Sequence, residues 1–174
     1  MTDLEHYTNS FDKMVKCKFS EYLKEIRASM SRSIPMETFA RDGIGVKTIQ
    51  RELGKSSSKN ALEGCYVLHR NGKAEYVGIS RKIITRLRQH VRGKTHFDAS
   101  LAYRMAKQQT SHSGTRSEAM ACTEFQEAFQ KAKEVIRGLQ VAYVEIDSAF
   151  ERYVFEPYCS MQLKTGKWNK FDTH

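Results

Sequence analysis

The sequence predicts an α+β fold: a small three-stranded antiparallel sheet flanked by helices, α/β sandwich-like, with a helical N-terminal extension. Three observations carry this expectation. Apolar and aromatic residues, among them Phe11, Met14, Val15, Phe19, Tyr22, Leu23 and Ile26, recur at three- and four-residue steps near the start. From Glu63 the pattern changes to two strand-like runs, GCYVLHR and AEYVGI, joined by NGK. A third such run, LQVAYVEI at 139–146, lies between helical stretches.

The elements follow in order. Residues 3–30 read as helix-rich until Pro35 interrupts, and METFARDGIGVKTIQRELG offers a second helical piece ending at Gly54. The polar run KSSSKN, 55–60, suits a linker. Asn71-Gly72 marks the tip of a β-hairpin, because both residues tolerate the positive φ that tight hairpin turns require. A helix is expected from Arg81 to Arg92 and another from Phe97 to Gln109, with TSHSGTRS, 110–117, as a loop. Thr123 with Gln126 has the spacing of a capping box for a helix that Gly138 closes. Asp147 and Ser148 start a last helix.

At 174 residues one principal domain is expected, and 40% apolar with 28% charged residues is ordinary for a globular chain. Twenty-nine Lys and Arg against 20 Asp and Glu, a formal charge of +9, favour a polyanionic partner, nucleic acid first. Cys17, Cys65, Cys122 and Cys159 form no CxxC pair and read as reduced core thiols. Neither a signal-peptide stretch nor a run of 18 apolar residues is visible, so an intracellular, cytoplasmic, soluble protein without membrane partners is expected.

On the helix after the hairpin, Ile83, Ile84, Leu87 and Val91 cluster on one arc at 100° per residue. Arg86 and His90 share one flank of that arc, suited to holding a phosphate against the protein body. Arg81, Arg88 and Arg92 share the other, a solvated face able to touch a nucleic-acid backbone, with Lys94 and Arg104 extending the basic surface.

The ordered set Gly64-Cys65-Tyr66, Tyr76-Val77-Gly78 with Ser80, then Arg86 and His90, resembles the GIY-YIG nuclease family, with Cys65 and Val77 in place of isoleucines. Glu156 in RYVFEPYCSMQ looks like the family glutamate, and Asn169 in LKTGKWNKF like its terminal asparagine. The close of the chain also resembles that of some bacterial members. The resemblance covers roughly residues 63–174, leaving 110–137 unmatched, and implies a nuclease domain over 61–174; it says nothing of residues 1–60, which their own pattern marks as a helical N-terminal extension. It implies hydrolysis of nucleic-acid phosphodiesters, DNA before RNA, with Mg²⁺ or Mn²⁺ on Glu156. Arg86 would donate to a non-bridging oxygen, and Tyr66 would position or deprotonate the attacking water. Tyr76 and His90 would complete the network, and Asn169 would organise it. Restriction, defence, repair or recombination would suit such an enzyme, and a homodimer would rationalise double-strand cutting.

Glu156 stands in a nearly apolar segment, where a carboxylate needs a cation, a metal or hydrogen bonds; Arg152, four residues back, is a rival partner. One hard-oxygen carboxylate plus waters and phosphate oxygens suits Mg²⁺ or Mn²⁺. Pro157 directly follows and is expected to bend or break the helix there. Glu151, three residues after Ser148, reads as the second half of a capping box. A three-residue hairpin loop, Arg70-Asn71-Gly72, is expected, because it would set Tyr66 opposite Tyr76. The alternatives are a non-catalytic nucleic-acid-binding module on the same fold, or a basic protein that meets an acidic partner. IGVKTIQREL, 44–53, reads as an amphipathic helix packed beside the core.

Overall fold

The computed structural model describes residues 11–54 and 61–171; the expected linker 55–60 lies outside the described residues. The fold is α+β, with a four-stranded sheet in the order β1-β4-β2-β3, formed by β1 (Ile34–Pro35), β2 (Gly64–Arg70), β3 (Lys73–Ser80) and β4 (Gln140–Glu145). The unforeseen strand is β1. Two residues are too few to show a period of two, and Pro35, which lacks an N–H, is tolerated only at a sheet edge.

The chain divides into two compact units. One comprises Met1–Ile34, Asn60–Ile83 and Gln140–His174; the other comprises Pro35–Lys59 and Ile84–Leu139. The sequence set residues 1–60 apart from the rest, whereas the contacts group the first helical stretch with the sheet.

In the sheet unit, α1 (Phe11–Lys13), a π-helical segment (Met14–Phe19) and α2 (Ser20–Met30) follow one another without a break. Met14, Phe19, Leu23 and Ile26 from this stretch bury themselves with Cys65, Val67, Val77 and Val144 from the strands. Phe155 and Cys159 of α9 (Ala149–Leu163) close the same core, with Phe155 edge-on to Phe19 at 5.3 Å between centroids. Strand alternation turns Tyr66, Leu68, Tyr76, Val141 and Tyr143 to the opposite face.

Helix α9 runs unbroken through Pro157, against expectation. Proline removes the bond to the carbonyl of Tyr153, a residue at the exposed side of the helix where water can take its place. Ser148 caps α9 by accepting from the Glu151 N–H at 3.2 Å, but the Glu151 carboxylate does not serve as a capping-box partner. It is buried and takes the Tyr22 hydroxyl at 2.7 Å and the Lys18 ammonium, tying α9 to the N-terminal helices.

The second unit is helical: α3 (Glu37–Ala40), α4 (Val46–Glu52), α5 (Ile83–Arg92, whose first residue belongs to the sheet unit), α6 (Ser100–Thr110), α7 (Arg116–Ala121) and α8 (Thr123–Arg137). The single helical piece expected before Gly54 is split: Arg41 leaves α3 with ψ 132°, and Gly43 takes φ +71° between α3 and α4. Phe125, Ala128, Phe129, Ala132 and Ile136 bury one stripe of α8 at helical spacing, and Tyr103 of α6 meets Phe125 at 5.1 Å. The capping box belongs to Thr115 and Glu118 at α7 rather than to Thr123, whose helix is preceded by Cys122 with no side-chain cap. Gln126 instead donates to the Met120 carbonyl at 2.6 Å. Cys65 and Cys159 are buried thiols as expected, whereas Cys17 is exposed. Among the described residues no helix is long and apolar enough to cross a membrane.

Candidate functional site

The hairpin carries two of the expected residues, and its geometry corrects the sequence reading. Arg70 pairs with Lys73 across a two-residue turn in which Asn71 (φ 50°) and Gly72 (φ 78°) are both left-handed. A three-residue loop is therefore excluded. The two tyrosines nevertheless share a face. The register slips between His69↔Ala74 and Leu68↔Tyr76, so Glu75 is an extra residue, and beyond this bulge Tyr66 stands opposite Gly78. Tyr76, two residues before Gly78, then lies on the side of Tyr66, with ring centroids 6.3 Å apart. Glu75 is held at the bulge by the Arg70 guanidinium at 3.2 Å.

Both motif glycines are dictated by close approach. A Cβ on Gly78 would stand 2.5 Å from Cζ and Oη of Tyr66, so the phenol lies directly over the Gly78 backbone. Gly64 has φ +150°, and its Cβ would meet the Val144 carbonyl oxygen at 2.0 Å. Tyr66 itself is 1% exposed.

Asn169 reaches the open edge of β3. Its Oδ1 accepts from the Val77 N–H at 2.9 Å, and its Nδ2 donates to the Val77 carbonyl at 2.7 Å. The side-chain amide thus acts as one more rung of the ladder and fixes the peptide between Tyr76 and Gly78. The chain returns to this edge because Lys164 ends α9 in a left-handed conformation (φ 56°), and the buried Ser160 and Thr165 hydroxyls bond at 2.8 Å. Asn169→Ala is expected to cost about 2–4 kcal/mol, since two buried backbone groups lose their partners. Asn169→Asp, able to accept but not to donate, should fall between the two in urea denaturation.

Glu156 is half-buried on the same helix as Phe155 and Cys159. Burial pushes the Cys65 thiol well above its ordinary pKa, the hydrogen bond and charge of Cys159 add to this, and the Glu156 charge adds further. Glu156 therefore lies within electrostatic reach of Cys65, whose side chain joins the core on the sheet face opposite Tyr66. Arg152, the rival partner, directs Nη1 to Glu63 at 2.7 Å and to the Ile146 carbonyl at 2.8 Å.

Arg86 and His90 belong to the helical unit. Arg86 donates from Nη1 to the Asp98 carbonyl at 2.8 Å and from Nη2 to Ser100 Oγ at 2.8 Å, with longer bonds to Gln89 and the Phe97 carbonyl. His90, expected on a phosphate-facing flank, is wholly buried with the apolar arc. Burial, then the charges of Arg86 and Arg104, lower its pKa to about 3, so its imidazole is neutral near pH 7 and suits positioning rather than proton transfer.

This has a consequence for stability. An unfolded histidine titrates near pH 6.5, so His90 contributes fully above that value and its contribution is lost as pH falls toward the folded pKa. Each pH unit in that window removes about 1.4 kcal/mol per such histidine. His69, also buried, has both ring nitrogens without a hydrogen-bond partner, and burial lowers its pKa in the same sense. Urea midpoints are expected to drop between pH 7 and pH 5, and to drop less in His90→Gln.

The basic flank is partly engaged. Arg92 donates to the Arg41 carbonyl at 2.7 Å and pairs with Asp42 at 2.6 Å. Arg88 has a buried Nη1 without a hydrogen-bond partner, and burial, then the Arg92 charge, lowers its pKa. Arg81, in the sheet unit, and Lys94 are exposed; Arg104 is half-buried. Among the described residues no three His, Cys, Asp or Glu side chains cluster as a metal site. A single carboxylate still fits a hard divalent ion that takes its remaining ligands from water and phosphate. Sequence reasoning missed the Glu75 bulge; the only sign of it was that both tyrosines could not otherwise share a face. No protein-family model, curated protein or solved structure matches this chain.

Proposed function

We propose that this chain is a metal-dependent endonuclease that hydrolyses nucleic-acid phosphodiester bonds, DNA in preference to RNA. The observation that supports this reading is the convergence of Tyr66 and Tyr76 on one face of the hairpin, with the backbone at Val77, next to Tyr76, clamped by Asn169. Nothing in sheet packing alone calls for two phenols, a glycine trimmed to admit one of them, and a side-chain amide bound at the Val77 edge.

In this proposal the Tyr66 and Tyr76 hydroxyls align the attacking water, and Asn169 keeps Tyr76 in place. Glu156 would hold Mg²⁺ or Mn²⁺, which when bound supplies positive charge against the phosphoryl oxygens. Tyr66, Tyr76, Glu156 and Asn169 all belong to the sheet unit; Arg86 and His90 lie in the helical unit. The test is cleavage of plasmid and single-stranded DNA with Mg²⁺ and Mn²⁺, comparing the wild type with Glu156→Ala and Arg86→Ala. Undiminished cutting by both variants would sink the proposal.

The burial of Tyr66 and His90 favours a second reading, a nucleic-acid-binding module without turnover. It predicts salt-sensitive binding, no metal-dependent cleavage, and affinity indifferent to Glu156→Ala.

A further inference from the structure

Phe97 is 72% exposed, yet it does not sit on a loose loop tip. Arg86 pins the turn through the carbonyls of Phe97 and Asp98 and through Ser100 Oγ. Thr95 and Asp98 close it by reciprocal bonds: Thr95 Oγ1 donates to Asp98 Oδ2 at 2.9 Å and accepts from the Asp98 N–H at 3.2 Å. Gln89 Nε2 donates to Asp98 at 3.3 Å, and the Ala99 N–H to the Thr95 carbonyl at 3.0 Å. A Cβ on Gly93 would meet the Gln89 carbonyl and the Asp98 side chain at 2.5 Å, so the turn leaves α5 as tightly as glycine allows. The Phe97 ring lies on His96, centroids 4.0 Å apart, and His96 continues to Tyr103 at 5.7 Å. An apolar ring has thus been presented to solvent on a prepared turn.

The charge of the chain lies in the same unit. Residues 35–59 and 84–139 hold 15 of the 29 Lys and Arg but only 8 of the 20 Asp and Glu, which leaves them seven of the nine net positive charges. Lys94, exposed three residues before Phe97, repels Lys133, whose pKa is lowered first by burial.

We infer that the 94–97 turn is a stacking site for unpaired bases of single-stranded DNA, with Phe97 and His96 as the platform and Lys94 beside it for the phosphates. Every base has a π-face, so such a platform holds a strand without reading its sequence, and basic side chains supply the salt-dependent attraction. A duplex hides those faces in its own stack. The inference rests on the nucleic-acid reading above and narrows it to a conformation of the substrate.

The test is fluorescence anisotropy in EDTA at low salt, so that hydrolysis plays no part. The probes are a labelled mixed-sequence 16-mer, an abasic strand of equal length, and a 16-bp duplex. The wild type should bind the base-containing strand about 5- to 20-fold more tightly than the abasic one, the yield of stacking one base. Phe97→Ala should lose that preference while its affinity for the abasic strand and its thermal melt stay unchanged, and Phe97→Tyr should restore it. Equal wild-type affinity for the two strands, or a preference that survives Phe97→Ala, would overturn the inference. Loss of cleavage without loss of this preference would instead count against the hydrolytic reading alone.

Discussion

Gly64→Ala should cost more than about 4 kcal/mol, a large share of a typical stability of about 5–15 kcal/mol. Two costs combine. Alanine at φ +150° is held in a region open almost only to glycine, worth about 1–3 kcal/mol. Its Cβ would also lie 2.0 Å from the Val144 carbonyl oxygen and 2.9 Å from the Ile146 nitrogen, both backbone atoms along the neighbouring strand that no rotamer change can move. Relief requires the β2–β4 pairing to open at Gly64↔Glu145. Gly72→Ala is the control: φ is +78°, but nothing lies within 4 Å of the added methyl, so only the backbone term remains, about 1–2 kcal/mol. Urea denaturation of the two variants separates the contributions. A Gly64→Ala protein as stable as Gly72→Ala would show that the strands accommodate the methyl.

Glu156→Ala should abolish most metal-dependent cleavage, by about 10²- to 10³-fold, the usual loss when one electrostatic stabiliser of a transition state is removed. Glu156 is half-buried, while Glu151, a buried carboxylate on the same helix, carries the ties to Lys18 and Tyr22, and Arg152 binds Glu63 and the Ile146 carbonyl. Removing Glu156 also withdraws a negative charge near Cys65, so the thiol should titrate at lower pH in the variant. That shift, followed by slow thiol alkylation, reports that the substitution acted locally even where activity is lost. A variant that cleaves at the wild-type rate with Mg²⁺ and Mn²⁺ would remove Glu156 from the mechanism.

Much of this architecture was legible residue by residue. The 3.6-residue period of α5 located its buried arc, the Asn71-Gly72 pair located the hairpin tip, and Ser148 located the start of α9, because each signal is local and depends on backbone conformation alone. Other features were not. The bulge at Glu75 is invisible in an alternating run, since inserting one residue changes pairing without changing composition. Pro157 carried a local signal that the fold overrode, because water can satisfy the carbonyl it frees. Arg86 and His90 were placed together on one flank of a helix. They do share it, since the Arg86 charge is felt at His90, but the flank is engaged: Arg86 bonds a neighbouring turn, and His90 is buried.

The hairpin, the third long strand, the main helices, the positions that face a core and the excess of positive charge follow from the sequence, since periodicity and composition act over a few neighbouring residues. Which side chains meet is a different matter. The ring of Tyr66 over Gly78, the amide of Asn169 on Val77 and the pinned turn beneath Phe97 join residues 12, 92 and about 11 positions apart. Only packing brings such groups together, because strand register and chain reversals are decided by burial summed over the whole core.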